Sequence, residues 1–487
     1  MRALRFSLTI GCLLVIVGIA LGEILLVQND VPTIQEAIYA AVNGDTVLVG
    51  DGIWSGNGNR DIDFMGKAIV VMSENGPGNC IIDCGGGWSN HHRGFYFHRG
   101  EDSTSVVKGF TIRNGYTDYG GGILCSGSSP TITGNNITGN TCGNISIGGS
   151  GGGIHCGSGS PTIVGNTIGG NFAMDRGGGI YCSSGSSTIK NNTITGNSVY
   201  YFSGGGIYCG GSTVIVGNTI SGNRAGALVS GYNSGGGGIY CSEFVVIEDN
   251  IIVANSTGQY GNGGGIHCYN NSSPLIRGNT IESNSTSEAG GGIYLRKKSH
   301  PRIENNRILD NEAITGGGLY CSRESDPSIE GNVITGNLSD WGGGGIYFFY
   351  SSPTLKSNTI VNNTAVWYGG GIYCDSGSSP TITNSILWGD SPGEIYVYSG
   401  NPVVTYSDVA GGWTGEGNIQ RNPRFVDPQN GDYHLKFISP CIDAGDPDYV
   451  PEPGETDIDG EARIMRARID MGSDEVPYPH YLIPAQW

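Results

Sequence analysis

The sequence predicts an all-β fold, a single chain wound into a parallel β-helix of about ten regular coils of 26–27 residues. Irregular coils cap its ends, and a short helix closes the N-terminal one. Three observations predict it. Glycine supplies 87 of 487 residues, far above the usual ~7%, and 32 of these fall in ten runs of three or four. Each run leads into one apolar residue, from Ile123, Ile154 and Ile180 through to Ile372, at spacings of 26 to 32 residues. Two further apolar registers repeat in phase, one like Pro161-Thr162-Ile163 and Pro380-Thr381-Ile382, the other like the segments Asn218 to Asn223 and Asn358 to Asn363. Three strand-length patches per repeat, with no hairpin signal between them, require neighbouring coils to bury what no coil can bury alone. Glycine every third residue is missing, which excludes collagen, and glycine at this density excludes a helical protein.

Along the chain, Arg2 and Arg5 precede the apolar stretch Phe6 to Leu21, with Ala20 and Gly22 small at its end. This layout is that of a secretory signal peptide over 1–22; the stretch is short for a membrane span of about 20 residues. Residues 23–112 hold the N-terminal cap and first coils. Ile34, Ile38 and Ala41 have helical spacing, which predicts a capping helix over 33–42. Strands follow near Thr46–Val49, Ala68–Met72, Cys80–Asp83 and Val106–Ile112. Residues 113–400 are the regular repeats. In each Gly-Gly-Ile-Tyr-Cys segment the period of two turns Ile and Cys inward and Tyr outward, because Leu295 and Phe348 stand in the Cys position. The asparagines read as turn residues that tolerate left-handed backbone, with amides bonding from coil to coil. Residues 401–476, richer in Pro and Asp, read as a C-terminal cap, and 477–487 as a tail.

The formal charge of −18 becomes −20 when the leader removes Arg2 and Arg5, so a nucleic-acid partner held by a basic face is excluded. No segment of the mature chain reads as a membrane span. Cys12 aside, twelve cysteines remain, and eight recur at one repeat position, from Cys125 to Cys374. Since Leu and Phe replace them there, a buried column of stacked thiols is expected.

Residues 24 to about 400 resemble the pectate-lyase-like superfamily of secreted right-handed parallel β-helix proteins. The stretches Thr33-Ile34-Gln35, Gly44-Asp45-Thr46-Val47 and Gly66-Lys67-Ala68-Ile69 resemble its capped beginnings. The pairing of Gly121 to Ile123 with Ile137 to Asn140 is also similar to the repeats of chlamydial polymorphic membrane proteins, which carry Phe where this chain has Ile. Asn422-Pro423-Arg424-Phe425-Val426-Asp427-Pro428 and Ser439-Pro440-Cys441-Ile442-Asp443 are similar to the choice-of-anchor ending of bacterial surface β-helix proteins. The resemblance implies a fold and leaves the activity open, because such helices host lyases, hydrolases, esterases, epimerases and adhesins. The catalytic motifs of the polygalacturonase and alginate epimerase branches are absent.

The outward row runs Leu124, His155, Tyr181, Tyr208, Tyr240, His267, Tyr294, Tyr320, Tyr347, Tyr373, and has no acid. The turns before the glycine runs add aromatics such as Tyr232, Trp341, Trp367 and Tyr368. Aromatic faces suit the C–H faces of sugars, so Tyr240, His267, Tyr294, Tyr320, Tyr347, Tyr373, Trp341 and Trp367 are the expected carbohydrate-binding residues. Aromatic residues are also ordinary strand formers that shield one another. One cationic turn stands out. Coil registration sets Lys297 beside Arg323, Lys298 beside Glu324 and His300 beside Asp326; Lys297 and Arg323 are the candidate catalytic pair, suited to holding a uronate and abstracting its C5 proton. Asp457, Asp459 and Asp470 are candidate metal ligands, for calcium; no motif requires a cofactor. The expected protein is secreted, extracellular or at the cell surface, and monomeric. Its expected partner is an extracellular polysaccharide or a host or cell-surface glycan, with polyuronate-lyase-like chemistry lacking an identified catalytic set. The alternative is a non-catalytic adhesin or structural β-helix.

Overall fold

The computed structural model describes residues 22–27, 31–226 and 234–477; the leader up to Leu21, Tyr232 and the tail beyond Pro477 lie outside them. Each coil lays one strand on each of three faces. In one coil these are Ile123–Cys125 on a glycine face, Thr131–Thr133 on a proline face and Asn136–Thr138 on an asparagine face. Stacked, the faces are parallel sheets of 13, 15 and 14 strands. The helix therefore has about thirteen coils where the glycine runs mark ten. Ile62–Asp63, Phe95–Phe97 and Ile395–Val397 extend the glycine face without a run of their own. A fourth, narrower ribbon follows the asparagine face, in blocks of six and three short strands beginning at Tyr116–Thr117 and Glu312–Thr315.

The register places like on like. Ile123 pairs with Ile154, Cys125 with Cys156, Ile132 with Ile163 and Ile137 with Ile168. All of these side chains are fully buried, and burying an Ile contributes roughly 2–3 kcal/mol. All twelve described cysteines are free and buried. Cys241 and Cys268 bring their sulfurs to 3.1 Å as a thiol contact, and burial pushes the Cys374 thiol up to about 12, which leaves it inert as a nucleophile.

The corners explain the other repeated residues. Asn171 donates its backbone N–H and its side-chain amide to Asn197 Oδ1, both at 3.0 Å, and the same amide to Ile137 O at 2.9 Å. The left-handed residue is the one before each such asparagine, as at Gly170 (φ 62°) and Ala254 (φ 55°). The asparagines are thus hydrogen-bonding rungs, and the unusual backbone expected of them sits one position earlier. In the glycine runs, Gly177 has φ 61°, while a Cβ on Gly178 would lie 2.5 Å from Gly205 O. One glycine permits the turn, and the next permits the close approach.

At the N-terminal end, the helix Ile34–Ala40 buries Ile34, Ala37 and Ile38 over the first coils, and the Thr33 hydroxyl accepts from Glu36 N–H. Lys67 Nζ donates to Ile38 O, Tyr39 O and Ala41 O, which answers carbonyls left open at the helix end. The segment expected as one strand over Val106–Ile112 is two, Val106–Lys108 and Thr111–Arg113, because Gly109 at φ 79° turns a corner between faces. The C-terminal segment folds back along the outside of the asparagine face. Its antiparallel pair, Phe425–Asp427 with Asp432–Leu435, packs Phe425, Tyr433 and Leu435 on Val333, Val361 and Ile386. Asn305 donates to Asp457 O at 2.9 Å, so this segment grips the side of the helix well before its end.

Candidate functional site

The outward row of the glycine face is a column of stacked rings. Tyr181, Tyr208 and Tyr240 succeed one another at 5.1 and 4.8 Å between centroids, with planes 18° and 8° apart. Tyr294, Tyr320, Tyr347 and Tyr373 do the same at 5.3, 5.1 and 4.6 Å. His267 stands edge-on between the two stacks, 81° from Tyr294. Each ring thus covers its neighbours' faces. The first glycines of the two four-residue runs press on the row as well: a Cβ on Gly342 would lie 2.9 Å from the Tyr373 ring, and one on Gly235 2.6 Å from His267 Nδ1. His267 is fully buried, and Tyr240, Tyr294, Tyr347 and Tyr373 nearly so. Burial holds the His267 imidazole down to about 3 and pushes the Tyr373 phenol up to about 12. Over most of its length the column offers ring edges, with the faces spent on stacking.

Its C-terminal end is different. Tyr396 continues the column 5.3 Å beyond Tyr373, and the strand Ile395–Val397 is the last of its sheet. Tyr368 lies 4.7 Å from Tyr396 and 6.2 Å from Trp341. Trp341, Trp367, Tyr396 and Tyr398 are all exposed, Trp367 at 60% and Tyr398 at 71%. Tyr396 and Tyr398 were missed by a reading keyed to glycine runs. The signal was Ile395-Tyr396-Val397, which repeats the Ile-Tyr-Cys register with no run before it.

The cationic turn is registered as the sequence implies. Lys298 pairs with Glu324 at 3.2 Å, and Asp326 N–H donates to His300 Nδ1 at 3.1 Å. Lys297 and Arg323 follow the paired residues Arg296 and Ser322 on adjacent coils. Their side chains serve different surroundings. Lys297 donates to the Tyr269 hydroxyl and sits 4.7 Å from that ring's centroid, facing the preceding coil. Arg323 lines a shallow groove with Glu324, Phe349 and Tyr350 of its own and the following coil. Adjacent in the ladder, the two cations have different neighbours, and Lys297 is not among the lining of the groove that Arg323 enters.

The acidic cap groups differently from its sequence reading. Asp457 accepts from Asp459 N–H and Glu461 N–H through Oδ1 and from Glu475 N–H through Oδ2. Asp470 accepts from Asp443 N–H and Val476 N–H, and burial pushes its carboxyl up to about 6. Both carboxylates are therefore committed to folding the loop. Asp459 turns instead to His434 Nε2 at 2.5 Å. His434, Asp459 and Asp474 form the one cluster of metal-ligand type among the described residues, with ligand atoms within 4.8 Å of one another. An imidazole in that cluster, with the oxygens of Asp457 and Asp470 occupied, does not fit the all-oxygen shell of calcium.

Among solved structures the chain is similar to that of the pectate lyase Pel9A, at 13% identity over 94% of this chain and 97% of that one, with a TM-score of 0.35. It is also similar to the catalytic unit of a thermostable GH87 α-1,3-glucanase from Streptomyces thermodiastaticus strain HF3-3, at 14% identity over 80% of this chain and 65% of that one, with a TM-score of 0.38. No curated protein matches the sequence significantly. The family pattern described as "Right handed beta helix region" matches residues 122–287 and 205–387, together more than half of the chain. The glycine-marked coils, the parallel sheets and this match agree, and the chain belongs to the right-handed β-helix family.

Proposed function

We propose that the protein binds an extracellular polysaccharide on the aromatic surface at the C-terminal end of the stacked column. The observation that carries this reading is the exposure of Trp341 and Tyr396, both in ring contact with Tyr368, and of Trp367 and Tyr398 close to them in sequence, at the place where the column runs out of rungs. Indole and phenol rings with free faces bury the C–H face of a sugar while their polar edges meet hydroxyls. Further down the column the rings have spent those faces on one another, so Tyr240, Tyr294, Tyr320 and Tyr347 act as the support behind the binding surface. The leader over residues 1–22 would deliver the mature chain to where such polymers occur. Cleavage is not part of this reading, because Lys297 and Arg323 face different surroundings.

A glycan array with the wild-type protein and a Trp341→Ala/Trp367→Ala/Tyr396→Ala variant tests it. The expected result is retention of a polysaccharide by the wild type and a loss of about tenfold or more in the variant, each tenfold being ~1.4 kcal/mol. Equal binding by a folded triple variant overturns the reading. So does a folded wild type that retains no glycan, which would leave a structural β-helix.

A further inference from the structure

The antiparallel pair of the C-terminal segment sets two cations side by side. Lys436 N–H donates to Arg424 O at 3.1 Å, one step beyond the paired, buried Phe425 and Leu435. Like charges opposite each other on neighbouring strands repel. Both side chains are exposed, and among the described residues neither is paired with a carboxylate, although the chain carries a formal charge of −18. They line a groove of about 840 Å³ between the last coils of the asparagine face and the C-terminal segment. Trp388, Phe425, Ile438 and Asn362 line it too, and among the described residues no acidic one does. An apolar, indole-bearing groove with two uncompensated cations lacks only an anion.

The geometry points to a binding site for an anionic polysaccharide, with a sugar ring against Trp388 and its acid group between Arg424 and Lys436. Arg424 offers a guanidinium fork and Lys436 a point charge, and an anion between them relieves their repulsion. The groove shares no residue with the aromatic surface around Tyr368, and apart from Val361 and Asn362 its lining lies beyond the residues that match the family pattern. The two sites therefore stand or fall separately.

Isothermal titration with dextran sulfate, unsulfated dextran of equal length, and polyglutamate tests the site. Dextran sulfate is expected to bind, to weaken with added salt, and to exceed dextran and polyglutamate by about tenfold or more. An Arg424→Gln/Lys436→Gln variant is expected to lose that preference with its thermal midpoint unlowered, and Trp388→Ala to weaken what remains. Binding of neutral glycans at the aromatic surface should be unaffected by the double variant. Unchanged affinity of the double variant for dextran sulfate overturns the proposal. Polyglutamate binding as tightly as dextran sulfate also overturns it, since the groove would then read charge without a sugar.

Discussion

Asn363 donates both its backbone N–H and its side-chain amide to a single oxygen of Asp390, at 2.6 and 2.9 Å. Asp390 thus occupies the final rung of an asparagine column that runs down one edge of the asparagine face. Burial and the nearby Glu394 carboxyl hold the Asp390 acid well above the usual carboxylate range.

Replacing Asp390 with Asn keeps the accepting oxygen and gives Glu394 an amide donor. A carboxyl whose folded pKa is raised loses stability as pH climbs from ~4 through the folded value. Asp390→Asn is expected to raise the melting temperature, with a larger gain at pH 8 than at pH 5. A gain that is flat with pH would show that the carboxyl is not protonated in the fold.

Gly178→Ala places a Cβ 2.5 Å from Gly205 O and 2.6 Å from Ser198 O. Both are backbone atoms of the next coil, so no side chain can swing away. Destabilisation of about 3 kcal/mol is expected by denaturant unfolding. The same change at Gly139, which has open space around its Cβ but φ 64°, should cost only about 1 kcal/mol.

His267→Phe removes an imidazole whose burial, together with the charge of Arg296, holds it down to about 3. A His with a depressed folded pKa contributes stability that is lost as pH falls from ~6.5 toward that value, because only the unfolded chain takes up the proton. The variant should therefore resist acid better than the wild type, by roughly 2 kcal/mol at pH 5. Parallel unfolding curves at pH 5 and 7 check this.

His434 has the opposite sign. Partial burial pulls its pKa down, but Asp432 and Asp459, each 2.5 Å away, outweigh this and raise it. Its contribution is complete below ~6.5 and is lost as pH rises through the folded value. Protease resistance of the C-terminal segment is expected to fall across that window in the wild type, and to be flat in His434→Gln.

The coils were legible because their signals are periodic. Ile154, Cys156 and Asn171 each recur with the repeat, and the pairings Lys298 with Glu324 and His300 with Asp326 followed from counting alone. What period does not encode was missed. The covering of Tyr373 depends on Gly342, set by a ribbon of two- to five-residue strands too short to announce themselves. The groove needs Trp388 from the last coils and Arg424 and Lys436 from a non-repeating hairpin, and nothing in their spacing links them. The acids of the cap looked like ligands in sequence, because composition does not show that backbone N–H groups already claim Asp457 and Asp470.

The like-on-like register has one further consequence. Every rung of Ile, Cys and Asn presents the same surface above and below, so the molecule's length is quantised. A whole coil of 26 or 27 residues, such as 178–204, could be excised or duplicated with each column rejoining its own kind. The span between the helix-capped end and the aromatic end would then change in steps of about 4.8 Å, which makes the protein an adjustable spacer whose working surfaces need no redesign.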